Sequence, residues 1–186
     1  VDAHLDEPTM RHASIAIALI LAGAGEAAAA TVTGQCQREG TTLVFVDGLA
    51  FESARDEGGT VTTAIYLTTK PIDRKQLATC PDCEGELPVN TFLSTREDWI
   101  DAQIQAAAGG WLSASYVGGD MDMAVVNGVD YFAPDGTQTG ITAGNERLTL
   151  EVNDGKRIAG ILRYEEGDYF GATCEGRFDL EVGWPR

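Results

Sequence analysis

The chain predicts a mainly antiparallel β-sandwich with one short helix, at about residues 94–108; a β-barrel is the alternative closure of the same strands. Three observations carry this expectation. Short runs of branched and aromatic residues recur between Gly, Asp and Asn punctuation. The last third alternates apolar and polar residues through a tight turn. Only one longer segment repeats its apolar residues at helical spacing, and no solenoid or propeller period is visible.

Residues 1–30 are expected to be upstream residues plus a secretory leader. Met10-Arg11-His12, the apolar run Ile15 to Ala24 and the small residues ending in Ala28-x-Ala30 have the order of a signal peptide, with cleavage near Ala30. The run is shorter than the ~20 strongly apolar residues of a spanning helix and is weakened by Gly23, Gly25 and Glu26. Residues 1–9 carry three acids ahead of Met10, a plausible start, and are set aside. Cys36 follows Thr33-Gly34-Gln35, which is no lipobox. A single β-rich domain over 31–186 remains, long enough for one core. The expected location is periplasmic or secreted, in a bacterium.

Leu43 to Val46 is the first apolar run, stopped by Asp47-Gly48, and Thr60 to Thr68 the next, ended by Lys70-Pro71. Asp73 can cap a single helical turn over Arg74 to Leu77. Gly85, Pro88 and Asn90 then punctuate a loop. Ser94-x-x-Glu97 is a capping-box pattern, Trp99 or Ile100, Ile104, Ala107 and Ala108 recur at helical spacing, and Gly109-Gly110 supply a stop. That face is expected to lie on a sheet.

From Trp111 the strand signal strengthens, with Leu112, Ala114 and Tyr116 opposing Trp111, Ser113 and Ser115. Met121 to Val126 follows a Gly118-Gly119-Asp120 turn, and Val129 to Phe132 ends at Pro134-Asp135-Gly136. Leu148, Leu150 and Val152 share a face; Asn153-Asp154-Gly155 reads as a hairpin turn; and Arg157 to Tyr164 is its partner strand. Glu165-Glu166-Gly167-Asp168 turns again, and Tyr169 to Val182 closes the domain.

The segments Thr41 to Gly48, Ile65 to Pro71, Arg157 to Gly160 and Cys174 to Leu180 together resemble uncharacterised exported bacterial proteins. The resemblance loosely covers most of the chain after the leader. It implies the β-sandwich and transfers no functional residue.

The chain carries 13 basic and 29 acidic residues, a formal charge of −16; beyond the leader the counts are 12 and 25, or −13. Such a field repels phosphate backbones and anionic headgroups, so nucleic acid and, once the leader is cleaved, membranes are disfavoured, while a basic partner is favoured. Both histidines, His4 and His12, lie in the leader. The rest of the chain therefore lacks the base of Ser-His-Asp or Cys-His catalysis and the ligands of His-bound zinc or copper.

Cys80-Pro81-Asp82-Cys83 has the spacing of a thioredoxin-like dithiol. The following Glu84-Gly85-Glu86-Leu87-Pro88 is a poor helix, however, and its acids disfavour a thiolate. Zinc on Cys36, Cys80, Cys83 and Cys174 would have one paired knuckle where the usual signature has two. Two disulfides are preferred: Cys80 to Cys83, and Cys36 to Cys174 joining the first and last strands.

No metal and no cofactor is expected. Asp120-x-Asp122 lacks the loop of a calcium site and reads as a solvated turn. Two functional readings follow. In the first, an exported noncatalytic protein binds a protein or small ligand, and Tyr164, Tyr169, Phe170 and Trp184 form the candidate surface for a carbohydrate or a protein. An acidic inhibitor of a basic cell-wall hydrolase is one form of it. The competing reading is a carboxylate-based, glycosidase-like hydrolase, for example with Glu165, Glu166 and Asp168.

Overall fold

A computed structural model of the chain describes residues 30–83, 87, 89, 95–117, 125–141, 147–165 and 172–185. It contains β1 (Thr31–Arg38), β2 (Thr41–Val44), β3 (Asp47–Arg55), β4 (Val61–Thr68), α1 (Arg74–Leu77), α2 (Thr95–Ala106), β5 (Trp111–Val117), β6 (Val125–Phe132), β7 (Gln138–Ile141), β8 (Leu148–Asn153), β9 (Arg157–Glu165) and β10 (Thr173–Glu181). The strands form two open five-stranded sheets, β2-β1-β10-β9-β8 and β3-β4-β5-β6-β7. All their pairings are antiparallel. The fold is the sandwich, and neither sheet closes into a barrel.

In the first sheet the alternation of the sequence sets the faces. Ile158, Leu162, Tyr164, Cys174, Phe178 and Leu180 enter the core between the sheets. The outward residues pair across strands: Arg163 with Glu175 at 2.9 Å, Arg177 with Glu151 at 2.8 Å, and Arg157 with Asp179 at 2.6 Å. These exposed ion pairs add little stability each, but they suit a solvated sheet face.

The chain changes sheets at Phe45-Val46, where the Phe45 amide donates to Gly34 and the Val46 amide to Thr68. Phe45 is buried beside Gly176, which lies opposite Gly34 in the β1–β10 pair. A Cβ on Gly176 would stand 2.2 Å from the Leu67 side chain, so glycine lets the sheets approach.

The second sheet is covered on both faces. Leu67, Leu112 and Tyr116 face the first sheet; Tyr66, Trp111 and Phe132 face the helices. Asp47-Gly48, expected to stop a strand, instead begins β3, because the Asp47 carboxylate is held by groups from across the fold. Likewise Val126 and Val129 belong to one strand: Ser115 pairs with Gly128 and Tyr116 with Val126, so Asn127 is an extra bulged residue rather than part of a break. The expected turns at 118–120 and 166–168 lie outside the described residues.

In α1, the Asp73 carboxylate accepts from the Lys75 and Gln76 amides at 3.0 and 3.1 Å, the expected cap. In α2, Ile100 and Ile104 are buried and Trp99 packs beside them, so the expected face does lie on the sheet. Its end differs from expectation. Ala108 donates to Gln105 and Gly109 to Ile104, a Schellman closure that puts Ala108 at φ +50° and leaves Ala107 and Ala108 exposed. The Ser94 cap lies outside the described residues. No described helix is long and apolar enough to cross a membrane.

Two turn substitutions should move stability in opposite directions. Gly155 sits at φ +80° between β8 and β9, so Gly155→Val should cost about 1–2 kcal/mol. Ala108→Gly should gain about 0.5–1 kcal/mol by relieving the left-handed alanine. Denaturant melts followed by circular dichroism read both; an unchanged midpoint for Gly155→Val contradicts the turn.

Candidate functional site: a cleft beside Trp184

Beyond β10 the chain leaves the first sheet and straps across to the second. Val182 bridges Ala50 in parallel, the Val182 amide donates to Lys156 at 2.7 Å, and the Gly183 amide donates to Ala50 at 2.9 Å. Trp184 then meets Phe51 edge-on, with centroids 5.0 Å apart. Phe51 starts an aromatic row that continues through Tyr66 (5.9 Å), Trp111 (6.3 Å) and Phe132 (4.1 Å) under the helices.

Arg96, in the first turn of α2, gathers the surrounding segments. Its Nε and Nη2 donate to the Cys83 carbonyl at 3.0 and 2.6 Å, and Nη1 donates to the Glu52 carbonyl at 2.7 Å. Its guanidinium carbon lies 5.8 Å from the Trp184 ring centroid, within cation–π range. Desolvation draws this guanidinium below its ordinary pKa, and the charge of Glu52 opposes the shift.

Two clefts flank the strap and share Trp184. The larger, about 520 Å³, has Leu49, Trp184 and Pro185 as apolar walls and Asp47, Arg74 and Glu181 as polar ones. The smaller, about 420 Å³, is lined by Glu52, Cys83, Arg96 and Trp184. Arg74 holds both Asp47 oxygens at 2.8 Å, and the carboxylate also accepts from the Gly48 and Ile72 amides at 2.8 Å. Burial pushes Asp47 up, but the Arg74 bonds and the two amides outweigh it and hold the carboxyl below its usual range. Asp47 is thus fixed as an anion, the opposite of a general acid. The larger cleft offers an aromatic wall beside a neutralised polar pair, which is chemistry for holding a ligand.

A second polar group lies under α2. Tyr66, buried in β4, is hydrogen-bonded to Asp101 of α2. Burial is the main cause that lifts Asp101 to about 7, with Glu97, Asp98 and Asp130 adding to it and Tyr66 opposing. Desolvation raises Asp130 too. Neither Asp101 nor Asp130 lines either cleft.

Both expected disulfides form, Cys36 to Cys174 between directly paired residues of β1 and β10, and Cys80 to Cys83 after α1. All four sulfurs are paired in these two bridges, and the cysteines of the second bridge are buried. Of the four aromatics expected at a binding surface, Trp184 reaches the cleft. Tyr164 does not: it is wholly buried between the sheets, its ring stacked on Tyr131 at 5.9 Å, because it shares the inward parity of Ile158 and Leu162. Tyr169 and Phe170 lie outside the described residues, as do Glu166, Asp168, Asp120 and Asp122; Glu165 ends β9, exposed. Sequence reasoning missed Asp47, Arg74, Arg96 and the Tyr66–Asp101 pair. Its available signal for the last was polar Ser113 and Ser115 alternating on the face of Trp111.

Comparison with known protein families, curated proteins and solved structures finds no match.

Asp47→Ala should cost about 1–3 kcal/mol at pH 7 by leaving two amides unpaired and Arg74 without its carboxylate. The folded pKa lies below the unfolded one, so the contribution is present above about pH 4 and fades as pH falls through the folded value. Urea melts of both proteins should therefore converge as pH falls below about 4; a gap independent of pH contradicts the ionised pair.

Proposed function

We propose that the protein is an exported β-sandwich that acts by binding rather than catalysis, and that it holds a neutral polar ligand, a carbohydrate in class, in the larger cleft beside Trp184. The observation that carries this is the pairing of an indole wall with polar groups, the Asp47–Arg74 pair and Glu181, in a concavity of about 520 Å³. That volume suits a small ligand. Sugar C–H faces stack on indole while their hydroxyls meet planar polar groups. The export half of the reading rests on the signal-like segment before Ala30 and on two disulfides, which suit an oxidising compartment.

The charge of −13 beyond residue 30 favours a second reading, in which the acidic surface captures a basic protein such as a cell-wall hydrolase. The hydrolase alternative has Asp101 and Asp130 as its best carboxyl pair, since their raised pKa values suit acid–base work. Their position away from both clefts weighs against it.

The test is a titration of neutral and charged oligosaccharides and of basic peptides, read by calorimetry at low and raised salt. Binding of a neutral oligosaccharide, unchanged by salt and weakened about tenfold or more in Trp184→Ala, supports the cleft. Binding confined to basic peptides and lost in salt supports the second reading. No binding, or binding indifferent to Trp184, overturns the first.

A further inference from the structure

Few apolar side chains seat α2 on the second sheet: Ile100 and Ile104 are buried, and Trp99 packs beside them. Next to Ile100, Asp101 turns a carboxyl into the same interface. Tyr66 holds it by one hydrogen bond, and its Oδ1 is buried with no hydrogen-bond partner among the described residues. Among the described residues, the ionisable groups around it are Tyr66 from β4, Asp130 from β6, and Glu97 and Asp98 from the preceding turn of α2. From β5, Ser113 stands between Tyr66 and Asp130 in register, and Ser115 donates to Glu97 at 3.4 Å. The cations of this region are engaged elsewhere. Arg96 is bound to Cys83 and Glu52, and the Lys70 stem packs at the far end of the helix by Gly109. From α1, Asp73 meets α2 at Gln103.

We propose that Asp101 is a proton-operated latch: with its proton on, it lets α2 seat on the second sheet, and through Arg96 it keeps in place the wall of the smaller cleft, which shares Trp184 with the larger one. Without the proton, the buried Oδ1 of the half-buried Asp101 carries negative charge with no hydrogen-bond partner among the described residues, with Glu97 and the exposed Asp98 and Asp130 nearby. Moving the first turns of α2 outward hydrates it. Arg96 is five residues earlier in the same helix, so this movement draws its guanidinium away from Trp184, Cys83 and Glu52.

Burial places the changeover near pH 7. The folded pKa stands above the unfolded one, so the stability tied to this group is complete below about pH 4 and is lost as pH rises through about 7. An acidic environment then keeps the smaller cleft formed, with Trp184 held against Arg96, and an alkaline one loosens it. The latch rests on the cleft reading only for this consequence, and its test needs no ligand.

The experiment is amide hydrogen exchange of the whole protein between pH 5.5 and 8.5, corrected for the chemical exchange rate, together with the Trp184 indole N–H resonance. The resonance is assigned with Trp184→Phe. Expected in the wild type is loss of protection over residues 95–106 by tenfold or more as pH rises, with the Trp184 signal moving at the same midpoint and β9 and β10 unchanged. In Asp101→Asn both changes should vanish. If that variant fails to fold, Asp130→Asn removes a like charge and should move the midpoint to lower pH. Protection of α2 that ignores pH, an equal response in Asp101→Asn, an unmoved midpoint in Asp130→Asn, or loosening of both sheets together overturns the latch.

Discussion

The second sheet has two apolar faces, and the rest of the architecture answers that requirement. A sheet with one buried face needs only its partner sheet, but β4 runs Ala64-Ile65-Tyr66-Leu67-Thr68 with every residue buried. The first sheet covers Ile65 and Leu67. Ala64 and Tyr66 need another layer, and the chain provides it between β4 and β5, where α1, the Cys80–Cys83 bridge and α2 occur in succession. The strap of Val182 to Pro185 completes the cover at the β3 edge by laying Trp184 on Phe51. The clefts flanking the strap form where this assembled layer meets the sandwich corner.

The two disulfides serve different parts of this plan. Cys36–Cys174 spans 138 residues and joins β1 to β10, so it restricts nearly the whole unfolded domain; the chain-entropy argument assigns it about 5 kcal/mol. Cys80–Cys83 spans three residues and contributes about 2 kcal/mol on the same argument. Its importance is local: it fixes the turn whose Cys83 carbonyl receives two Arg96 N–H groups. A spacing that suggested redox chemistry thus sets one wall of the smaller cleft.

What was legible in the sequence was governed by neighbours along the chain. The Asp73 cap, the Asn153-Asp154-Gly155 turn, the alternation of β9 and the apolar face of α2 are each decided within a few residues, and each could be read. Tyr164 was readable too: it is two residues from Leu162, and parity alone puts it inside. By contrast β3 was hidden because Asp47-Gly48 has turn composition, and its partner Arg74 lies 27 residues away. The candidate site was legible only as Trp184 beyond the last strand. Arg96 and Asp101 acquire their roles from Cys83, Glu52 and Tyr66, contacts that helix periodicity does not encode.

The distribution of positive charge explains why two carboxyls in one small domain behave oppositely. With 13 basic residues against 29 acidic ones, most carboxyls have no cation of their own. Arg74 is committed to Asp47, and Arg157, Arg163 and Arg177 to the outer face of the first sheet. Arg96, the guanidinium of α2, is committed to backbone carbonyls rather than to a carboxylate. Asp47 therefore gains a bidentate partner that holds it ionised, while Asp101 has, among the described residues, a phenol and three like charges around it and retains its proton towards neutrality. Bonding Arg96 to Cys83 and Glu52 builds the cleft wall, and it also leaves the helix beside that wall sensitive to protons.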